Sequence, residues 1–178
     1  MKACFMGLGY IGLPTAIIAA ENGIEVIGVD INPQVVEMTN KGEIHIVEPG
    51  LQELCQQVVA SGHLKASVEP EVSDVYLIVV PTPFKGNHEP DISYVETATR
   101  SVIPLLKKGD LFVIESTSPV GTTEKMTQLI FSLRPELKDN IFIAYCPERV
   151  LPGNVIYELV HNDRVIGGID EESTEAAV

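Results

Sequence analysis

Six residues near the amino end, Gly7-Leu8-Gly9-Tyr10-Ile11-Gly12, restrict what this chain can fold into more than any other feature in it. They follow an apolar run, Lys2 to Met6, and open a stretch of helical period extending to Asn22, where Gly23 can end a helix. A second apolar run, Glu25 to Val29, ends at Asp30, which lies 18 positions after Gly12. Strand, glycine turn, helix, strand and acid in that order form a βαβ unit with a phosphate-binding turn. Gly7 permits the sharp turn, Gly9 lets backbone approach a pyrophosphate, and Gly12 lets the helix sit close on the sheet. The free amides at the helix start, with about half a positive charge, hold a diphosphate without any lysine. Asp30 sets the kind of dinucleotide, because a carboxylate accepts from the adenosine ribose hydroxyls and repels a 2′-phosphate. Ile31-Asn32-Pro33 supplies no cation to hold such a phosphate, so NAD is expected rather than NADP.

The rest of the chain alternates in the same way. Pro33 stands at a helix start, and Leu51 to Val59 continues as a helix behind the Pro49-Gly50 turn. Val75 to Val80 is almost wholly apolar, as a central strand covered on both faces would be. Asp91 is placed to cap a helix carrying Ile92, Val95, Val102, Ile103 and Leu106, which Pro104 ends or bends. Leu111 to Ile114 is a strand, Thr122 to Leu133 a helix, Ile141 to Tyr145 a strand, and Arg164 to Ile166 a last strand. The expected fold is a doubly wound α/β domain of the Rossmann type, a mostly parallel sheet with helices on both faces. Asp170 caps a final helix with Glu171 and Glu172 in its first turn. No C-cap glycine follows it, which suggests that residues 1–178 are the amino-terminal part of a longer protein.

Composition bounds the function. Lys and Arg number 12 against 25 Asp and Glu, a net charge of −13, which argues against a sequence-independent nucleic-acid binder. No apolar run approaches the roughly 20 residues of a membrane span. Lys2 with the apolar residues to Ala20 superficially resembles a secretory leader, but three glycines and Pro14 interrupt its core. Cys4, Cys55 and Cys146 form no CxxC pair and are odd in number, so a reducing, cytoplasmic setting is expected. His45, His63, His88 and His161 are dispersed without ligand spacing, and no metal site is expected.

In an open parallel sheet, ligands bind outside the carboxyl ends of the strands, so the segments after each strand carry most weight. Three are unusual. Pro81-Thr82-Pro83-Phe84 makes a stiff wall, Glu115 to Gly121 offers hydroxyls and amides at a helix start, and Cys146 to Gly153 sets Glu148 beside Arg149. Together with the opening turn, these loops give the expected cofactor-binding set: Gly7, Gly9, Tyr10, Ile11, Gly12, Asp30, Pro81, Thr82, Ser116 and Thr117.

The motifs GLGYIGLPTA, GVDIN, GEIHIVEPGL, VPTPFKGNHEPD, ESTSPVGTTEK, YCPERVLPGN and NDRVIGG occur in this order over nearly the whole chain. On these residues it resembles the NAD-binding part of the UDP-glucose/GDP-mannose dehydrogenase family. The resemblance implies a four-electron oxidation of a sugar C6 hydroxyl to a carboxylate with two NAD. It also implies capture of the aldehyde by a cysteine in a later domain, as a thiohemiacetal and then a thioester. Thr117 matches the family threonine that positions water or substrate oxygen, and Glu148 the glutamate that works with it as base or water-orienting group. These two are the expected catalytic residues. Arg149, Val150 and Leu151 occupy the loop that contacts the sugar nucleotide, here a UDP-sugar. Where the UDP-glucose branch has a second acid, this chain has Pro152, which argues for the N-acetylhexosamine branch, with a UDP-glucose or UDP-N-acetylglucosamine 6-dehydrogenase as the rival within the family. The resemblance further implies a homo-oligomer built largely through a downstream region, and a fragment that binds NAD without turning over. A non-catalytic dinucleotide sensor is the rival of another class. It would share the glycine turn and Asp30 but have no use for the PTPF and CPERVLPG loops. Cys146 is expected to be a small strand-end residue, and Arg164 either pairs with an acid or is solvated.

Overall fold

A computed structural model describes residues 1–151 and 153–178, so Pro152 and the branch expectation resting on it lie outside the described residues. Six strands form the parallel body of one sheet: β1 (Lys2–Met6), β2 (Glu25–Val29), β3 (Leu64–Ser67), β4 (Val75–Ile78), β7 (Leu111–Ile114) and β8 (Phe142–Tyr145). β9 (Gly167–Gly168) adds antiparallel to β8, and the sheet order is β3-β2-β1-β4-β7-β8-β9. A separate two-stranded hairpin, β5 (Phe84–Lys85) with β6 (Glu89–Pro90), leaves the body after β4. The chain reverses direction along the sheet between β1 and β4, the switch point at which open α/β sheets form their crevice.

Alternation along the strands sends side chains into two cores. Cys4, Met6, Tyr76, Ile78, Phe112 and Ile114 meet α4 (Ser93–Val102) and α5 (Thr122–Leu133) through Val95, Val102, Met126 and Ile130. Ala3 and Phe5 face the other way, onto α1 (Gly12–Glu21) and α3 (Leu51–Ala60) through Leu13, Ile17, Leu51 and Cys55. Each fully buried Leu or Ile contributes about 1.5–3 kcal/mol, so the helices are held by their apolar stripes rather than by propensity. Three shorter helices complete the layers: α2 (Pro33–Asn40), α6 (Val155–His161) and α7 (Glu171–Ala177). Asn32 caps α2 by accepting from the Gln34 amide, and Asp170 caps α7 by accepting from the Ser173 amide at 2.7 Å.

Register positions the site. Met6 pairs with both Val29 and Ile78, Ile78 with Ile114, and Ile114 with Tyr145, so the strands end on one level row. The next residues, Gly7, Asp30, Val79, Glu115 and Cys146, therefore start their loops side by side.

Three of the expected elements need adjustment. The last strand is Gly167–Gly168, not Arg164 to Ile166, because Arg164 is drawn toward Glu115 and backbone pairing with β8 begins only beyond it. Its direction is also antiparallel. Asp91 does not occupy the cap position of α4, which Ile92 takes, although Asp91 Oδ1 still accepts from the Ser93 amide. The strand expected over Val75 to Val80 ends at Ile78, since the backbone of Val80 turns to pair with Ser116 Oγ.

Candidate functional site

The glycine turn is shaped by close approach. A Cβ on Gly7, whose φ is +109°, would collide with the carbonyl of Val79, and one on Gly12 would collide with the carbonyl of Gly7. A Cβ on Gly9 would meet nothing within 4 Å, so the space above this residue is open. Ile11 provides no side-chain cap to α1, and the amides of Gly9, Tyr10 and Ile11 have no partner among the described residues. These unpaired donors sit at a helix start among residues that line a cleft, as a pyrophosphate site requires.

Asp30 braces the turn. Its Oδ2 accepts from the Leu8 amide at 3.1 Å and its Oδ1 from the Asn32 amide at 2.9 Å, which leaves lone pairs on both oxygens for ribose hydroxyls. Beside it opens a mainly apolar cleft of ≈580 Å³, lined by Gly7, Gly9, Asp30, Ile31, Val68, Pro70 and Pro81 and by one face of α4. Ile31 is 89% exposed, an apolar wall without an apolar neighbour to cover it.

A second cleft of ≈240 Å³ adjoins the first through Gly9, Val79, Val80 and Pro81, and continues over Tyr10, Ile11, Thr82, Ser116, Thr117 and Glu148. The structure thus brings every expected cofactor residue to the walls of one continuous crevice, except Gly12, which is buried beneath it. Ser116 is 5% exposed and its hydroxyl is committed to the protein, donating toward the carbonyls of Ile78 and Val80 and accepting from the Val80 amide. Thr82 donates to the carbonyl of Thr117 at 2.8 Å, which locks the proline-rich loop to the next one.

Thr117 Oγ1 donates to Glu148 Oε1 at 2.9 Å, joining loops 31 residues apart in sequence at the end of the smaller cleft. Arg149, Val150 and Leu151 line neither cleft. Arg149 donates to the carbonyl of Asp163, and the Leu151 amide donates to Glu158. Among the described residues no cluster of His, Cys, Asp or Glu suits a metal, and no helix is long and apolar enough to cross a membrane.

The family model described as UDP-glucose/GDP-mannose dehydrogenase family, NAD binding domain, matches residues 1–178. The chain belongs to that family. It is 54% identical, over 99% of its length, to UDP-N-acetyl-D-mannosamine dehydrogenase of Campylobacter jejuni, covering 46% of that protein. It is 53% identical, over 97% of its length, to NDP-N-acetyl-D-galactosaminuronic acid dehydrogenase of Ralstonia nicotianae, covering 43% of it. The native structure of the UDP-N-acetyl-mannosamine dehydrogenase Cap5O from Staphylococcus aureus superposes with a TM-score of 0.94 at 46% identity, covering 99% of this chain and 44% of that one. The chain therefore spans less than half the length of these relatives. NAD is the cofactor of this family domain, and the residues fit it: an open cradle over Gly9, unpaired amides, and a carboxylate beside an apolar slot.

Two further groups matter, the first left open by the sequence between pairing with an acid and solvation, the second missed by it. Arg164 donates to Glu115 Oε1 at 2.9 Å, and Glu115 is buried at the strand end with its other oxygen unpartnered among the described residues. Arg164 also lies 4.0 Å from Cys146 Sγ, so a cation stands beside this thiol. Burial nevertheless raises the Cys146 thiol, with Arg164 only opposing it, which disfavours the thiolate. The second is the polar face of α4, where Ser93, Thr97 and Ser101 line the larger cleft at four-residue intervals. That spacing was readable as a helix stripe.

Gly9→Ala separates ligand space from folding. The expected result is a stability change below about 1 kcal/mol in urea unfolding with NAD affinity reduced about tenfold or more, whereas Gly12→Ala destabilises the fold itself. Burial raises the Glu115 carboxyl above the ordinary range, against the pull of Arg164. The folded state then holds more protons than the unfolded state between the ordinary and raised values, so this group's contribution falls as pH rises through that window. Urea unfolding across it should show a smaller decline for Glu115→Gln than for the unsubstituted chain.

Proposed function

We propose that the chain is the amino-terminal NAD-binding domain of a UDP-N-acetyl-D-mannosamine 6-dehydrogenase. The enzyme would oxidise the sugar C6 hydroxyl to a carboxylate in two steps with two NAD. The observation that carries this reading is the Thr117–Glu148 hydrogen bond of 2.9 Å at the end of the cofactor crevice. A domain that only sensed NAD would need the glycine turn and Asp30 but no hydroxyl–carboxylate pair at that end. The identity to a UDP-N-acetyl-D-mannosamine dehydrogenase over 99% of the chain supports the choice of sugar. A UDP-glucose or UDP-N-acetylglucosamine 6-dehydrogenase is the alternative within the family, and the resemblance to an N-acetyl-D-galactosaminuronic acid dehydrogenase keeps the hexosamine class in view.

In this reading Asp30 holds the adenosine ribose, the amides of Gly9, Tyr10 and Ile11 hold the diphosphate, and Pro81, Thr82 and Ser116 wall the path between the two clefts. NAD, when bound, accepts the hydride from the sugar carbon. Thr117 is placed to hold the substrate oxygen or a water, and Glu148, half-buried and already accepting from Thr117, receives the proton that leaves the hydroxyl. The nucleophilic cysteine and most of the UDP-sugar site belong to a downstream region, with Arg149, Val150 and Leu151 as this domain's part of the sugar-nucleotide contact. A homo-oligomer and a cytoplasmic site of action complete the proposal.

Asp30→Ala should weaken NAD binding about tenfold or more by calorimetry, the loss of one or two charge-assisted hydrogen bonds. In the longer enzyme, Glu148→Gln should lower kcat about a hundredfold or more with little change in NAD affinity. Turnover of UDP-N-acetylmannosamine in preference to UDP-glucose is the expected specificity. Turnover of neither sugar would overturn the reading.

A further inference from the structure

The motif GEIHIVEPGL is left without a task by the reading above, and one of its two acids is buried. Glu48 is 6% exposed, in the connection between α2 and α3. Its carboxylate reaches more than a hundred residues along the chain, accepting from the Gly153 amide at 3.0 Å and the Val155 amide at 2.7 Å. Those amides lie at the start of α6, where Asn154 makes no side-chain cap of its own. A carboxylate there satisfies open helix donors and complements the dipole. Next to Glu48, the carbonyl of Val47 accepts from the Tyr10 hydroxyl at 3.3 Å, and Tyr10 belongs to the glycine turn. One short strap therefore touches the cofactor turn on one side and the segment after Glu148 on the other.

That segment has few other polar anchors, although the buried Val155 and the side chain of Ile156 hold the start of α6 on the body by apolar packing. Arg149 and Leu151 bond to Asp163, Asn162 and Glu158, residues that follow within the same excursion. Between Pro147 and Val155, the hydrogen bonds to the body of the domain among the described residues are those from Glu48 and the Thr117–Glu148 contact.

We propose that Glu48 is the positioning residue of the sugar-nucleotide loop. It fixes Arg149–Leu151 relative to Glu148 and ties them to the cofactor turn through Val47 and Tyr10. The role assigned to that loop rests on the function proposed above. The hydrogen bonds do not.

The test has two arms. In the 178-residue chain, Glu48→Ala should speed amide exchange at Gly153 and Val155 about tenfold. Glu48→Gln, which keeps one acceptor oxygen and the shape, should fall between the two, with NAD affinity within about twofold of the unsubstituted chain in both. In the longer enzyme the same variants should raise KM for the UDP-sugar about tenfold while KM for NAD stays within about twofold, with the glutamine variant again intermediate. Unchanged exchange at these amides would overturn the proposal. So would a parallel rise in both KM values, since that marks a general loosening. If the longer enzyme turns over no UDP-sugar, the functional reading fails by itself and the exchange arm alone decides the role of Glu48.

Discussion

Everything in this domain depends on how closely its first helix approaches its first strand. Gly12 sits against the carbonyl of Gly7, and Gly7 against the carbonyl of Val79, with no room for a Cβ at either place. Such contact between backbones brings the start of α1 directly over the sheet edge, where its free amides face the crevice. A side chain at either position would push the helix out by the width of a methyl group and carry the donors away from Asp30. Gly28 serves the same end from the neighbouring strand, since a Cβ there would lie 2.6 Å from Leu8. Leu8 is the fully buried residue that pins the turn from below.

The level ending of the strands converts this local geometry into a site. Because Met6, Val29, Ile78, Ile114 and Tyr145 are in register, the five loops that follow emerge along one line. Hydrogen bonds between the loops then set their order: Asp30 to Leu8, Ser116 to Val80, Thr82 to Thr117, and Thr117 to Glu148. The crevice is thus walled by residues that hold one another, so the Thr117–Glu148 pair is placed at a set distance from the glycine turn and Asp30. The acidic charge of the chain is no obstacle, because fixed dipoles act at short range while the surface carboxylates are screened.

Much of this was legible before any coordinates. The glycine turn, Asp30 and the central apolar strand are governed by short-range rules, backbone sterics and the period of apolar residues, and the structure places them as expected. Thr117 and Glu148 were found as members of strand-end loops, and their contact follows from the register. What stayed hidden depends on distant pairing. Nothing near Arg164 in sequence says that it will meet Glu115, and the strand expected there gave way to that ion pair and to a shorter antiparallel β9. Glu48 was visible only as a letter in a motif, because its partners lie 105 and 107 positions away. The hairpin β5–β6 was missed because its two-residue strands are exposed, and the edge strand β3 because it is only four residues long with two apolar positions.

The central claim is that the amides of the glycine turn grip a dinucleotide at the carboxyl edge of the sheet. An amide-resolved NMR titration of the chain with NAD tests it most directly. The account predicts saturable shifts at Gly9, Tyr10, Ile11, Asp30 and Thr117, with Asn140 and Glu171 at the opposite edge unmoved. No shift in the turn, or shifts centred on that opposite edge, would contradict it.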